Sequence, residues 1–234
     1  MDQALKQYLV VTGSYWAFTL TDGALRMLVV LYFHALGYSP LEVATLFLLY
    51  EFFGVVTNLL GGWLAARTGT HVTLKLGLAL QILALSMLLV PSSWLSVAYV
   101  MVAQALSGIA KDLNKMSAKS SIKTLMPDHA QKQLYRWIAR LTGSKNALKG
   151  LGFFLGALLL SWLEFRGAIA SLVVLLLAVF ALTHAALNSA PQQTEFQPKF
   201  TELLSKSERI NLLSAARFFL FGARDIWFVI ALPV

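Results

Sequence analysis

Tyr15-Trp16-Ala17-Phe18-Thr19-Leu20-Thr21-Asp22-Gly23-Ala24-Leu25-Arg26-Met27-Leu28-Val29-Val30-Leu31-Tyr32-Phe33 is apolar for long enough to cross a bilayer, yet it carries two opposite charges at its centre. A spanning helix needs about 20 residues. A charge at its middle costs about 2.5–3.5 kcal/mol on insertion scales. Asp22 and Arg26 are four apart, so a helix places them on one face, where they can neutralise each other. Ionisable groups at that depth mark a water-accessible path more often than a structural brace. The stretch, extended to Gly37, reads as the first helix of a membrane carrier.

Composition agrees with that class. Apolar residues make up 58% of the chain and charged residues 13%, against about 25% charged in soluble domains. With no cysteine, disulfides and thiolate metal sites are excluded. Asp22 and Arg26 interrupt the first apolar run and no small-residue cleavage site follows, so it is not a cleaved secretory signal. The net charge of +8 would suggest nucleic acid in a soluble protein; here the cations lie in loops or inside helices, and no nucleic-acid partner is expected.

Working outward, Ser39-Pro40-Leu41-Glu42 forms a capping box with proline at the first helical position. It starts a second helix, Leu41 to Ala66, containing Glu51 and Asn58. A third helix, His71 to Val90, stops at Pro91. A fourth starts near Trp94 and turns basic through Lys111, Asp112, Asn114, Lys115, Lys119 and Lys123. A fifth runs from Gln131 to Leu163 with Arg136, Arg140, Lys145, Asn146 and Lys149. A turn at Glu164-Phe165-Arg166-Gly167 leads to an uncharged sixth helix, Ala168 to Leu187. Residues 188–209 read as a polar linker. A seventh helix begins near Ile210, carries Arg217, Arg224 and Asp225, and is still apolar at Val234, so the chain is expected to be a fragment or truncated product. The domain reading is 1–187 as a six-helix half, 188–209 as a cytoplasmic linker and 210–234 as the opening of an incomplete second half. Lys and Arg concentrate in the N-terminus and the 2–3, 4–5 and 6–7 connections, which places those segments in the cytoplasm.

Helices 1, 2, 4, 5 and 7 carry charge at depth and are expected to line a cavity, while helices 3 and 6 face lipid. A six-helix unit with its third and sixth members peripheral, restarting after a linker, resembles the major facilitator superfamily, whose two parallel-related halves hold a site between them. Gly62-Trp63-Leu64-Ala65-Ala66-Arg67-Thr68-Gly69 resembles the superfamily's 2–3 loop signature, although Ala66 stands at its acidic position. Gly23-Ala24-Leu25-Arg26 has a counterpart in Gly222-Ala223-Arg224-Asp225. At a finer level the chain is similar to the ArsJ-type organoarsenical efflux permeases. That likeness rests on Tyr15 to Arg26, on Lys111-Asp112-Leu113-Asn114-Lys115-Met116-Ser117-Ala118-Lys119-Ser120-Ser121-Ile122-Lys123, on Gly143-Ser144-Lys145-Asn146-Ala147-Leu148-Lys149-Gly150, and on Ser214-Ala215-Ala216-Arg217 with Gly222-Ala223-Arg224-Asp225. The resemblance implies export of 1-arseno-3-phosphoglycerate across a bacterial inner membrane. It also implies a functional link to the glyceraldehyde-3-phosphate dehydrogenase that makes this compound, with arsenate resistance as the outcome.

From the residues alone the cargo reads only as a small anion, for which clustered cations in a low-dielectric site are the natural receptor. The expected substrate-binding and translocation residues are Asp22, Arg26, Glu51, Lys111, Asn114, Lys145, Asn146, Lys149, Arg224 and Asp225. Lys115, Lys119 and Lys123 are expected to extend into solvent, snorkelling to the interface, and Lys111 can belong to either group. Gly152 and Gly156 form a small-xxx-small pair for helix packing. His34, His71, His129 and His184 are scattered, so no metal, cofactor or enzymatic chemistry is expected. Two alternatives stay open: a permease for another organophosphate or inorganic anion, and a non-transport membrane protein that binds lipid head groups.

Overall fold

A computed structural model describes residues 3–124, 131–187, 207–216 and 219–220. Among these the chain is helical, without strands: α1 (Gln3–Ala35), α2 (Pro40–Thr45), α3 (Leu48–Thr68), α4 (Thr70–Met87), α5 (Val97–Thr124) and α6 (Gln131–Ala186), with a short 3₁₀ turn at Ser92–Trp94. Residues 208–216 are also helical. The linker expected at 188–209 and most of the seventh helix, including Arg217, Arg224 and Asp225, lie outside the described residues.

Several boundaries differ from the sequence reading. The first helix begins at Gln3 rather than Tyr15, because nothing in the residues from Gln3 onward breaks a helix; hydropathy marks where the apolar run begins, not where the helix does. The second helix is divided. The Ser39 side chain accepts from the Glu42 N–H, and the Glu42 carboxylate accepts from the Ser39 N–H, so the capping box is complete and α2 starts where expected. At Leu46 and Phe47 the backbone bonds then tighten to i→i−3, onto Val43 and Ala44, before α3 resumes at Leu48.

The long α6 is two legs joined at Glu164, whose φ of 58° and ψ of 178° leave the helical region. Side-chain contacts along α1 show that the chain reverses there. Trp137 stacks on Tyr8, Trp16 donates to Ser144, Gly152 meets Gly23 and Phe165 stacks on Tyr32, so the first leg runs parallel to α1. Thr183 then returns to share a hydrogen bond with Ser14, so the second leg runs antiparallel. By the same reasoning α3 and α5 are parallel, with Tyr50 on Gly108, Gly54 on Asp112 and Asn58 on Lys115. α4 and α5 are antiparallel, with Gly77 on Asn114, Gln81 on Ser107 and Met87 on Tyr99. Among the described residues the result is a bundle of six passes, all α.

Among the described residues four helical segments are long and apolar enough to cross a membrane by length and composition: Leu5–Ala35, Pro40–Asn58, Thr70–Met87 and Lys132–Ala186, the last being 55 residues and so long enough for both legs of α6. α5 does not meet that criterion because of its charges, of which Lys111, Asp112 and Lys115 turn inward while Lys123 is exposed. α4 and the second leg of α6 each bury one stripe and expose another: Leu74, Leu78 and Leu85 against Val72, Leu76 and Leu83 on α4, and Ile169, Leu172 and Leu176 against Val174, Leu177 and Leu182 on α6. One apolar core gathers Phe18, Leu25, Leu28, Phe33, Leu78, Leu85, Phe165 and Ile169. A second, around Tyr8, Tyr15, Leu74, Ile122, Trp137 and Leu141, sits at the end of the bundle where α1 begins.

Candidate functional site

Close backbone crossings set the position of the site. An added Cβ on Gly23 would lie 2.7 Å from the Lys149 carbonyl oxygen, and one on Gly156 would lie 2.5 Å from that of Ala24; Gly152 is packed equally closely on the Leu20 carbonyl. These small residues let α6 press directly on α1. Gly108 does the same for α5 against the backbone of Tyr50. With main chains this close, the side chains beside the contacts are forced into one common region. Those side chains are Asp22 and Arg26 from α1, Tyr50 and Glu51 from α3, Lys111, Asp112 and Lys115 from α5, and Lys145 and Lys149 from α6.

Arg26 donates to Glu51 at 2.8 Å. Lys111 lies 3.5 Å from the other Glu51 oxygen and 3.9 Å from Asp112. Lys115 donates to Asp112 at 3.0 Å and to Asn58 at 3.3 Å. The chain of charges therefore runs Arg26–Glu51–Lys111–Asp112–Lys115 across three helices. Tyr50 is its hub: fully buried, it donates its hydroxyl to Asp22 at 2.7 Å while Arg26 and Lys111 both sit 4.1 Å from its ring centroid. A ring between two cations supplies its negative faces to both.

This arrangement corrects one expectation. Asp22 and Arg26 do not pair with each other along α1. The hydroxyl of Tyr50 satisfies Asp22, and Arg26 reaches across to Glu51. A cross-helix partner wins because the bundle brings a second carboxylate to the guanidinium and a buried donor to Asp22, so each group keeps its own partner. Lys115 is also held in the charge chain rather than extended into solvent, because Asp112, only 4% exposed, needs a cation.

Lys145 and Lys149 differ from the other cations. Among the described residues no carboxylate lies within 4.0 Å of either ammonium group. Both are half-buried. Lys145 is within electrostatic range of Lys111, Lys115, Asp22 and Asp112, and Lys149 of Arg26, Lys111, Lys145, Asp22 and Glu51. The Lys149 ammonium lies 5.8 Å from the centroid of the Phe153 ring. The cluster holds five cations (Arg26, Lys111, Lys115, Lys145, Lys149) and three carboxylates (Asp22, Glu51, Asp112), which leaves an excess of two positive charges.

Two expected residues sit apart from it. Asn114 is fully buried against Gly77 of α4 and donates to the Ala110 carbonyl at 3.0 Å. Asn146 is exposed on α6. Arg224 and Asp225 lie outside the described residues. Tyr50 and Asp112 were absent from the sequence-derived set. Signals for both exist: Tyr50 neighbours Glu51, and Asp112 is three residues before Lys115 and adjacent to Lys111. No group of His, Asp and Glu among the described residues is arranged to hold a metal.

The model of the Major Facilitator Superfamily matches residues 11–234. No curated protein sequence matches the chain. Among solved structures, it is similar to the peptide transporter POT in complex with sulfate. The similarity to a point mutant of that protein has a TM-score of 0.57 at 19% identity, covering 96% of this chain and 45% of the other. To POT itself the TM-score is 0.55 at 17% identity, covering 97% and 47%. The chain thus spans about half the length of these structures, and at such identities the likeness concerns the fold. The family match and the apolar helices define an integral membrane protein. The chain belongs to the Major Facilitator Superfamily.

Proposed function

We propose that the chain forms the cation-bearing half of an efflux carrier for a phosphorylated organic anion, in the manner of the organoarsenical permeases that its sequence resembles. The substrate is 1-arseno-3-phosphoglycerate, and export by alternating access confers arsenate resistance together with the dehydrogenase that makes the compound. In this reading residues 1–187 are the N-terminal half, 188–209 the cytoplasmic linker and 210–234 the opening of the second half. The protein lies in a bacterial inner membrane with its N-terminus in the cytoplasm.

The observation that supports it is the pair Lys145 and Lys149, half-buried beside a charge chain in which every other cation already has an acidic partner. Two half-buried ammonium groups with no direct ion pair among the described residues are costly. A dianion entering between them and the Arg26–Glu51–Lys111 chain removes that cost and gains charge-assisted hydrogen bonds. Arg26 and Lys111 are held by Glu51, so a competing oxyanion can exchange with that carboxylate, which couples cargo binding to the α1–α3 and α3–α5 contacts.

The test is arsenate tolerance in cells that express the carrier with its partner dehydrogenase. Tolerance should rise, and should fall to the vector level in Lys149→Ala and Arg26→Ala. Unchanged tolerance in both variants, at equal membrane abundance, would remove the site assignment. Tolerance that never rises, with uptake or release of another organophosphate intact, would redirect the substrate.

A further inference from the structure

The first turns of α6 hold a second cationic site, separate from the cluster at the α1–α6 crossing. Lys132, Gln133, Arg136, Trp137 and Arg140 line a cavity of about 280 Å³. Lys132, Arg136 and Arg140 recur every four residues, so a helix stacks them on one face, and all three are exposed. Among the described residues no carboxylate lies within 4.0 Å of any of them. Trp137 forms the floor. It is 8% exposed and stacked on Tyr8 at 4.0 Å between centroids, and neighbouring Tyr135 is 77% exposed.

Depth along the bundle identifies what this cavity faces. The apolar run Leu5–Ala35 has its centre at Leu20, which packs on Gly152 of α6, so the Lys149–Gly152 crossing is level with the middle of that run. At about 1.5 Å per residue, Arg140 lies about 13–18 Å from that level, Arg136 about 20–24 Å and Lys132 about 26–30 Å. The hydrocarbon half-thickness is about 15 Å and the headgroup layer ends at about 20–22 Å. Arg140 and Arg136 therefore bracket the headgroup layer with Lys132 just beyond it, from where its long side chain can reach back, and a tyrosine and a tryptophan accompany them at the depth where such rings collect.

We infer that Lys132, Arg136 and Arg140, over the Trp137 floor, form a binding site for the phosphate headgroup of an acidic phospholipid. A basic pocket beside transmembrane helices at headgroup depth has the charge and geometry for that ligand. Its acyl chains would lie along the apolar exposed face of the same leg, past Leu151 and Phe154, which are 59% and 81% exposed. Through the Trp137–Tyr8 stack, the headgroup would hold the start of α6 against α1.

The test titrates the whole detergent-solubilised chain with dioleoyl phosphatidylglycerol or dioleoyl phosphatidylcholine and reads bound lipid by native mass spectrometry. Phosphatidylglycerol should be retained in preference. That preference should fall about fivefold in Arg136→Gln and about a hundredfold in Lys132→Gln/Arg136→Gln/Arg140→Gln, with phosphatidylcholine unchanged. Should the triple variant lose its helical spectrum, Arg136→Gln set against Arg136→Lys decides: the lysine variant keeps the preference and the glutamine variant does not. Equal retention of the two lipids would overturn the inference. So would an equal loss in Arg166→Gln at the far end of the bundle, or displacement of the lipid by inorganic phosphate at comparable concentration, which would make the ligand a free anion.

Discussion

Replacing Gly152 by alanine isolates the contact that creates the site. The new Cβ would be driven into the Leu20 carbonyl, with the Gly23 Cα 3.1 Å away; at Gly156 the same change meets the Ala24 carbonyl oxygen at 2.5 Å. Ordinary contacts of this kind begin near 3.4 Å, so α6 must retreat from α1 by most of an ångström. Both sides of the contact are backbone, so no side chain can swing away. Overpacking of this sort costs about 1–3 kcal/mol. For a chain of this size that corresponds to a fall in Tm of about 2–12 °C. The control is two residues away. At Gly150 nothing lies within 4 Å of an added Cβ, and alanine there gains about 0.5–1 kcal/mol of helix preference. Thermal unfolding of purified Gly150→Ala, Gly152→Ala and Gly156→Ala, followed by helical ellipticity in one detergent, checks the argument. Gly152→Ala and Gly156→Ala should melt below the parent and Gly150→Ala at or above it. Equal melting of all three would refute the claim that main-chain contact positions α6.

Other changes probe the charge chain. Glu51→Gln leaves Arg26 and Lys111 without their shared carboxylate. Breaking a fully buried pair costs about 3–5 kcal/mol, but Glu51 is 41% exposed, which reduces the expectation to about 1–2 kcal/mol in chemical unfolding. Adding Lys111→Gln should recover part of that loss, and the double-mutant cycle should give a coupling of about 0.5–3 kcal/mol rather than additivity. Tyr50→Phe retains the ring beneath Arg26 and Lys111 but takes the donor from buried Asp22, for a cost of about 1–3 kcal/mol. Tyr50→Leu, which also removes the ring, should cost more by the same measurement, and no difference between the two would argue against the cation–ring contacts.

Local signals carried much of the fold. Ser39 and Glu42 announced a cap that formed as read, because a capping box is completed within four residues and needs no tertiary help. Glu164 to Gly167 announced the reversal between the two legs of α6. The interruption at Leu46 and Phe47 carried no such mark, since both residues suit a helix and no glycine or proline stands there. Membership in the superfamily was legible from the repeat of charged and uncharged spans.

Pairing was harder to read than placement. The i,i+4 relation of Asp22 and Arg26 is a statement about one helix, whereas their actual partners, Tyr50 and Glu51, depend on the rotation of α3 about its axis and on how closely Gly108 lets α5 approach. Asn114 shows the same limit. It occupies the charged stretch of α5, yet it points at Gly77 on α4, because a step of three residues from Lys111 turns it toward a different neighbour. Lys145 and Lys149 could be picked out as deep cations, but that no carboxylate pairs directly with them among the described residues is a property of the assembled bundle.

The most direct test of the central claim is calorimetric titration of the reconstituted protein with 3-phosphoglycerate, a stable relative of the proposed cargo, against glycerate, which lacks the phosphate. The account predicts that 3-phosphoglycerate binds more tightly than glycerate and that Lys145→Gln/Lys149→Gln abolishes the difference while the protein keeps its helical content. Unchanged 3-phosphoglycerate binding in that double variant would contradict it.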